Sequence, residues 1–317
     1  MPPRRLQTAI DGLRRQTNLR AKSLIVTVFG DAVAPHGGVV WLGSLISLLE
    51  PFGVNERLVR TAVQRLTRQD WLASRPIGRR SYYSLTEAGR RRFEDAHRRI
   101  YAVPRGPWDG QWTFVVIGIG DGETAERDRL RRELLWQGFG QVSATVLAHP
   151  ASDREALRHV LQDAGMADRA IVVIGRAERL GPVPPLATFV SSCWDLEGLA
   201  QAYRGFLGHF RPVWKALEAG GARDPETCFI IRVLLIHEYR RVLLRDPQLP
   251  HELLPAEWAG TAARALCRNL YRLTYEPAER HLMQRLETAE GPLPEAAPYF
   301  YQRFGGLEQE GPAAAAS

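Results

Sequence analysis

The sequence predicts an α+β protein of several domains, and three observations carry that prediction. At 317 residues the chain exceeds the usual size of one domain. Its apolar spacing is helical in the first part, alternates between strand and helix over residues 106–195, and is helical again from Leu196 onward. Charge is divided too: residues 1–105 hold 19 basic and 8 acidic residues, a net +11, whereas 106–317 hold 23 and 27, a net −4. A cationic first third beside a mildly acidic remainder points to one module that meets a polyanion and others that do not. The location of the charge is the informative part, since all but Lys22 and Lys215 of the basic residues are arginine.

Composition excludes several classes. With 45% hydrophobic and 24% charged residues the chain has a globular balance, which rules out wholesale disorder. The longest apolar run, Cys228 to Ile236, contains Arg232 and falls far short of the ~20 residues a bilayer requires. No membrane association is expected. The amino terminus lacks an apolar core and a small-residue cleavage site, so no secretory signal is read there and the expected compartment is the cytoplasm. Cys193, Cys228 and Cys267 are too widely spaced for a metal knuckle or a disulfide framework and read as buried apolar fillers.

Within residues 1–105, Leu24, Ile25, Val28 and Phe29 recur at helical spacing, and the pattern stops at Gly30-Asp31. A second apolar helix runs from Trp41 to Leu49 and is closed by Pro51-Phe52-Gly53. Asn55 is placed to cap a third helix reaching about Asp70. At 100° per residue, Leu58, Val59, Ala62, Val63 and Leu66 gather on one arc, and Arg57, Arg60, Thr61, Gln64 and Arg68 on the opposite one. The stretches from Trp71 to Ile77 and from Ser81 to Leu85 read as two strands joined by the basic turn Gly78-Arg79-Arg80. A fourth helix follows from Thr86 to Tyr101.

Two helices, a tight glycine-containing turn, a third helix and a basic hairpin are the order of a winged helix-turn-helix. A duplex major groove accepts one helix, so Arg57, Arg60, Thr61, Gln64 and Arg68 are the expected DNA contacts of that helix, and Arg79 and Arg80 those of the hairpin. A solvated helix surface is the plainer account of such an arc. The coincidence of helix, hairpin turn and charge excess in one segment favours the duplex.

A linker rich in Pro and Gly, Val103 to Gly110, opens the second domain. Trp112 to Ile119 reads as strand, Glu123 to Gln137 as helix, Val142 to Ala148 as strand, Asp153 to Asp163 as helix and Ala170 to Ile174 as strand. That alternation over 106–195 predicts a small ferredoxin-like α+β domain. From Leu196 strands are expected to disappear: 196–210, 225–244, 255–275 and 277–289 read as helices, three of them with Pro at or near the start. The third domain is thus helical over 196–304, and a polar, Ala-rich tail, 305–317, is expected to be disordered.

No catalytic constellation emerges. The turn from Gly118 to Glu123 lies between strand and helix, but Glu123 stands where a dinucleotide loop needs glycine, and with Asp121 it would repel a pyrophosphate. His237-Glu238 and His251-Glu252 begin like a zinc-protease motif, yet Arg241 and Pro255 occupy the place of the second histidine. Asp109 and Asp121 flank the first strand of the second domain and would suit a divalent ion, which keeps a metal-dependent nuclease as the alternative; exposed loop carboxylates are the simpler account. No metal or cofactor is expected. His237, Arg241 and Arg245 recur at i, i+4 and i+8, a cationic stripe able to hold an anionic ligand such as a phosphate-bearing coenzyme, with Tyr239 and Tyr271 as candidates for an apolar pocket. A salt-bridged surface and ordinary core packing are the competing accounts.

Three segments of the first domain stand out, Ser23-Leu-Ile-Val-Thr-Val-Phe-Gly-Asp31, Val59-Arg-Thr-Ala-Val-Gln-Arg-Leu66 and Ser81-Tyr-Tyr-Ser-Leu-Thr-Glu-Ala-Gly-Arg90. With them, and over nearly its whole length, the chain resembles the phenylacetate-degradation repressors of the PaaX type. More specific are Cys193-Trp-Asp-Leu196 with Tyr203 and Phe206, then Asp246-Pro-Gln-Leu-Pro250 followed by Leu253-Leu-Pro-Ala-Glu-Trp-Ala-Gly260. The resemblance implies a winged-helix first domain, a middle domain similar to the CRISPR-associated Cas2 proteins and a helical third domain. It implies a dimeric repressor of an aromatic-compound catabolic operon, not an enzyme, bound to a palindromic operator in double-stranded DNA. Release by phenylacetyl-coenzyme A or a related acyl-coenzyme A is implied as well, although no motif names the ligand. The DNA role falls on Arg57, Arg60, Thr61, Gln64 and Arg68. A winged helix that docks protein instead is the third reading, and the +11 of residues 1–105 argues against it.

Overall fold

A computed structural model describes residues 4–17, 19–103, 106–117, 124–178, 186–220 and 224–307. The turn from Gly118 to Glu123, the expected boundary at Arg105 and the tail from residue 308 lie outside the described residues.

In chain order the amino-terminal segment holds α1 (Arg4–Gln16), α2 (Ala21–Val28), β1 (Val39–Trp41), α3 (Leu42–Leu49), α4 (Glu56–Arg68), β2 (Leu72–Ile77), β3 (Arg80–Leu85) and α5 (Glu87–Tyr101). Then come β4 (Gln111–Val116), α6 (Thr124–Trp136), β5 (Gly140–Gln141), β6 (Val146–His149), α7 (Arg154–Asp163), β7 (Ile171–Arg176) and α8 (Leu186–Cys193). The chain continues with α9 (Leu196–Glu218), α10 (Pro225–Leu243), α11 (Ala259–Arg285), the short strands β8 (Glu287–Thr288) and β9 (Gly291–Pro292), and α12 (Pro298–Tyr301). Among the described residues no helix is long and apolar enough to cross a membrane. Two compact units result: Met1–Val103 with Arg204–Leu243 and Thr261–Ser317, and Pro104–Tyr203 with Leu244–Gly260. Most of the carboxy-terminal helices thus share one body with the amino-terminal segment.

In the second unit a four-stranded sheet has the order β5-β6-β4-β7, with every pair antiparallel. Side chains alternate across it as the pleat requires. Val115 and Leu147 face Leu130 and Leu134 of α6 and Leu157 and Leu161 of α7, whereas Trp112 and Ala148 face Val190 of α8 with Leu249 and Leu253. Asp153 caps α7 by accepting from the backbone N–H groups of Glu155 and Ala156.

The first unit is built around α10, in which every residue from Thr227 to His237 is buried. A helix buried on all sides has no use for a charge unless it is paired. Arg232 is paired. Its Nε donates to Asp31 Oδ2 at 2.7 Å, Nη2 to the Asp31 carbonyl at 2.9 Å, and Nη1 to Glu279 of α11. Arg303 approaches the same aspartate from the other side, with Nη1 3.0 Å from its carbonyl oxygen and 3.1 Å from Oδ1. Tyr101 and Tyr271 donate their hydroxyls to Oδ1 at 2.5 and 2.9 Å. Burial pushes both phenols well above their ordinary pKa, which keeps them protonated as donors. His36 Nε2 closes the network on Glu279 at 2.9 Å. Loss of the Asp31 carboxylate would leave two buried guanidiniums short of counter-charge, a cost of about 3–5 kcal/mol.

Several expectations need correction. The helix expected to stop at Gly30-Asp31, α2, does not: a π-helical turn, Phe29–Val33, and a 3-10 turn, Ala34–His36, continue it. Gly30 serves a close approach instead, since a Cβ there would lie 2.8 Å from the Phe93 ring. Trp41 ends a strand rather than opening a helix, and α1, unexpected, buries Leu6, Ile10 and Leu13. Only the end of the expected strand 142–148 is strand: β6 begins at Val146, and residues 142–145 form the turn that joins it to β5. Strands do not vanish after Leu196, because β8 and β9 pair. Pro212 and Pro277 lie inside α9 and α11, so the two expected helices 255–275 and 277–289 are largely one. Burial of Leu270, Tyr271, Thr274, Ala278 and Leu282 along α11 outweighs the cost of about 3 kcal/mol for an interior proline. Cys228 and Cys267 are buried and Cys193 half-buried, all three as thiols.

The buried titratable groups set an acid limit. Burial, with Arg303 close by, lowers His97 to about 4, and burial lowers His237 to about 3. Against the opposing effect of burial, Arg232 and His36 hold Glu279 at about 2. The unfolded chain therefore binds more protons than the folded one as pH falls through 6.5, and again below 4.5, so stability declines with acidity. The melting temperature is expected to be flat above pH 7 and to fall below 6.5, with a loss on the order of 3 kcal/mol by pH 4 from His237 alone. His237→Gln should flatten that slope; a melting temperature constant from pH 7.5 to 4.5 in the parent protein would contradict the account.

Candidate nucleic-acid interface

The geometry of α4 is set at both ends. Asn55, in extended conformation, accepts from the Leu58 N–H at 3.0 Å and caps the amino terminus. At the other end the Trp71 N–H reaches the Leu66 carbonyl at 3.0 Å and the Asp70 N–H reaches that of Thr67 at 3.1 Å, with Asp70 left-handed at φ 56°. These are the two bonds of a Schellman termination, which usually places glycine where Asp70 stands. Arg92 of α5 lies over the Trp71 ring and donates to the carbonyls of Gln69 and Asp70, Thr86 Oγ1 donates to that of Asp70, and Lys22 Nζ donates to Gln69 Oε1. A guanidinium at a helix carboxy terminus also complements the macrodipole.

Between those ends Val59, Ala62, Val63 and Leu66 are buried on the side toward α2. Arg57, Arg60, Thr61, Gln64 and Arg68 are all exposed, as is Arg65. Leu58 departs from its expected arc: it is 47% exposed in the first turn, and an angular projection cannot tell where along the axis a neighbouring helix ends. Arg60 holds Glu56 one turn earlier at 2.7 Å, an exposed pair worth about 0–1 kcal/mol and easily exchanged. The Thr61 hydroxyl donates to the Arg57 carbonyl at 2.9 Å, so it presents lone pairs outward.

The strands β2 and β3 pair from Leu72 opposite Leu85 to Ile77 opposite Arg80, leaving the two-residue turn Gly78-Arg79. Gly78 takes φ 59° at the first central position, as a turn matched to the strand twist requires. Ala73 to Ile77 are exposed, so the hairpin projects, with Arg79 exposed at its tip. The strand β1 adds a third member to the sheet, with Trp41 opposite Tyr82. Arg80, expected to meet DNA, is engaged within the protein: its guanidinium lies 4.2 Å from the Trp41 ring centroid, and Nη1 is 2.8 Å from Glu287 Oε2.

Comparison with known proteins agrees with this arrangement. The family model described as PaaX-like protein matches residues 20–89, the PaaX protein central Cas2-like domain matches 105–186, and the PaaX-like protein C-terminal domain matches 194–284. Transcriptional repressor PaaX of Escherichia coli (strain K12) is 39% identical over 308 residues, 96% of each chain. The chain belongs to the PaaX-like family. Among solved structures, uncharacterized protein Rv0674 from Mycobacterium tuberculosis shares 24% identity with a TM-score of 0.53, covering 83% of this chain and 98% of that one, a likeness of fold.

The residues that mark the family divide by role. Those of 59–66 lie on α4. Those of 193–203 and 246–260 are framework: Trp194 Nε1 donates to the Gly138 carbonyl at 2.9 Å, the Tyr203 hydroxyl to Asp246 Oδ2 at 2.5 Å, and the Gln248 N–H to Asp246 Oδ1 at 2.6 Å. Tyr203 and Trp258 meet edge to face at 6.0 Å. Sequence spacing alone does not separate framework from contact surface.

The expected cationic stripe does not assemble. His237 is fully buried; Thr27 Oγ1 donates to the Ser23 carbonyl, so His237 Nδ1 donates to Thr27 at 3.0 Å and leaves Nε2 bare. Arg241 is exposed and holds Glu238 at 2.9 Å, and α10 ends at Leu243, before Arg245. The residue that matters beside His237 is Arg240, overlooked in the sequence, which donates to the Ser23 carbonyl and hydroxyl at 3.0 and 2.9 Å; burial lowers it to about 10. Tyr239 lies buried against Phe206, and Tyr271 belongs to the Asp31 network. Asp109 is exposed and accepts from the Gln111 N–H at 2.9 Å, while Asp121 lies outside the described residues. Among the described residues no group of three or more His, Cys, Asp or Glu side chains is placed to hold a metal ion.

Since Asp70 is left-handed and uses only its backbone at the end of α4, Asp70→Gly should stabilise the protein by about 0.5–1 kcal/mol. A urea titration would register this as a higher midpoint at unchanged slope, and a lower midpoint would refute the assigned termination.

Proposed function

We propose that this chain is a DNA-binding transcriptional repressor of the cytoplasm, not an enzyme, that binds a palindromic operator as a homodimer and controls an aromatic-compound catabolic operon. The observation that carries the reading is α4: its apolar side and both ends are locked, and Arg57, Arg60, Thr61, Gln64 and Arg68 stand open along the other side. The order of α3, α4 and the β2–β3 hairpin supports reading α4 as the recognition helix of a winged helix-turn-helix. The sheet order of the second unit, with α6 and α7 on one face, supports the reading of that unit as ferredoxin-like. The name of the Escherichia coli relative, a transcriptional repressor, supports the same function.

Affinity then comes from arginines on phosphates, each neutralised phosphate lowering log K by about 0.9 per log unit of salt. Selectivity comes from base edges, where an arginine on guanine or Gln64 on adenine contributes roughly 1–3 kcal/mol. The edge strand β7 leaves Ile171 and Val173 exposed on one face and Ile174 on the other, an apolar edge that favours a second copy of the chain as its cover. The effector we propose is an aryl-acyl-coenzyme A, with phenylacetyl-coenzyme A first among the candidates on family grounds.

Arg60→Ala and Gln64→Ala should each cut operator preference by about 5–150-fold in a band-shift assay while leaving the far-ultraviolet circular dichroism unchanged; undiminished preference would remove α4 from the reading. Phenylacetyl-coenzyme A should raise the melting temperature and weaken operator binding by about 5–150-fold. If no thioester in an aryl-acyl panel does either, the effector class is wrong.

A further inference from the structure

One charged contact in the first unit ties the β2–β3 hairpin to a distant part of the chain. Arg80, which opens β3 directly after the hairpin turn, reaches across 207 residues of sequence to Glu287 on β8. The guanidinium is stacked on Trp41 and turns one edge to the carboxylate. Glu287 is itself fixed: it pairs with Pro292 in the β8–β9 hairpin, its N–H lies 3.3 Å from Ser44 Oγ, and the preceding Leu286 is buried. The two side chains are 50% and 48% exposed, so water competes for the bond and a better anion can displace it. A DNA phosphate is such an anion, and it would bind the same edge of Arg80.

Building on the DNA-binding reading above, we propose that Glu287 is an attenuating residue, built into the fold to weaken the grip of the hairpin on DNA of any sequence. Its carboxylate occupies Arg80 and repels phosphate, so that a duplex gains the Arg80 contact only by displacing it. The pair that must be broken is present in the free protein whatever DNA arrives, so its cost falls on every duplex alike. The Arg60–Glu56 pair on α4 is a local i,i+4 contact of the ordinary kind, whereas Glu287 is brought to the wing from the far end of the chain.

The test uses the full chain, a 30-base-pair duplex of random sequence, and the fragment the protein selects from its own genome, each titrated over a range of salt. Glu287→Gln should bind the random duplex roughly 3–8-fold more tightly at 0.1 M salt, with a slope steeper by about 0.9, one further phosphate. Its affinity for the selected fragment should rise by a similar factor. Arg80→Ala should cancel the gain on both duplexes when combined with Glu287→Gln. Parent-like binding of the random duplex by Glu287→Gln would overturn the proposal. So would an equal loss on both duplexes with a lowered melting temperature, the mark of a clamp that only holds β8–β9 to the wing. A parent protein that binds neither duplex would instead sink the DNA-binding reading itself.

Discussion

Two arginines, Arg232 and Arg303, are buried completely in the first unit, and both rest on one aspartate, Asp31. Ions of that size cannot be removed from water without several kcal/mol of penalty each, and only close, saturated pairing offsets it. The chain supplies that pairing from α10, α11, the end of α5 and the segment after α12, all converging on the turn that continues α2. The π-helical turn Phe29–Val33 is what brings the Asp31 side chain and carbonyl to the same two guanidiniums. Apolar contacts alone would tolerate a helix sliding along its neighbour; this set of directional bonds does not.

The same fixation reaches the exposed face of α4 through α2. One side of α2 meets α4, and Ser23 and Thr27 meet Arg240 and His237 of α10. The row from Arg57 to Arg68 is therefore oriented by the carboxy-terminal helices as well as by its own cap and termination. Arg92 and Lys22, at the end of α4, add restraints from α5 and α2. A helix that must present five side chains to a groove in register gains from being held at every point except the reading face.

Much of this was legible in the sequence where the signals are local. Asn55, the two arcs of α4 apart from Leu58, and Gly78 at the hairpin turn each act within a few residues, and the structure has each in place, although the turn is two residues rather than three because Arg80 already belongs to β3. Long-range pairing was not legible. Arg232 stood out as a charge inside an apolar run, yet its partner lies 201 residues away, and nothing near Gly30-Asp31 announces a buried carboxylate. The stripe of His237, Arg241 and Arg245 shows the opposite failure: periodicity placed three cations together, whereas burial of α10 turned the first inward and the helix ended before the third. The spacing of Leu6, Ile10 and Leu13 was a usable helix signal for α1, masked by the arginines around it. The strands β1, β8 and β9 are too short for any alternation to show.

The sequence distances within the Asp31 network bear on biosynthesis and genetics. The carboxylate leaves the ribosome long before Arg232 and Arg303, which follow it by 201 and 272 residues; at 5–20 residues per second the wait for the last is roughly 15–50 s. Until then the amino-terminal segment holds a charge that its own neighbours cannot satisfy, so its native closure belongs to the end of translation. A nonsense mutation that truncates the chain before Arg303 should accordingly behave as a recessive loss, because the shortened product lacks what it needs to poison an operator in a cell that also makes the intact protein.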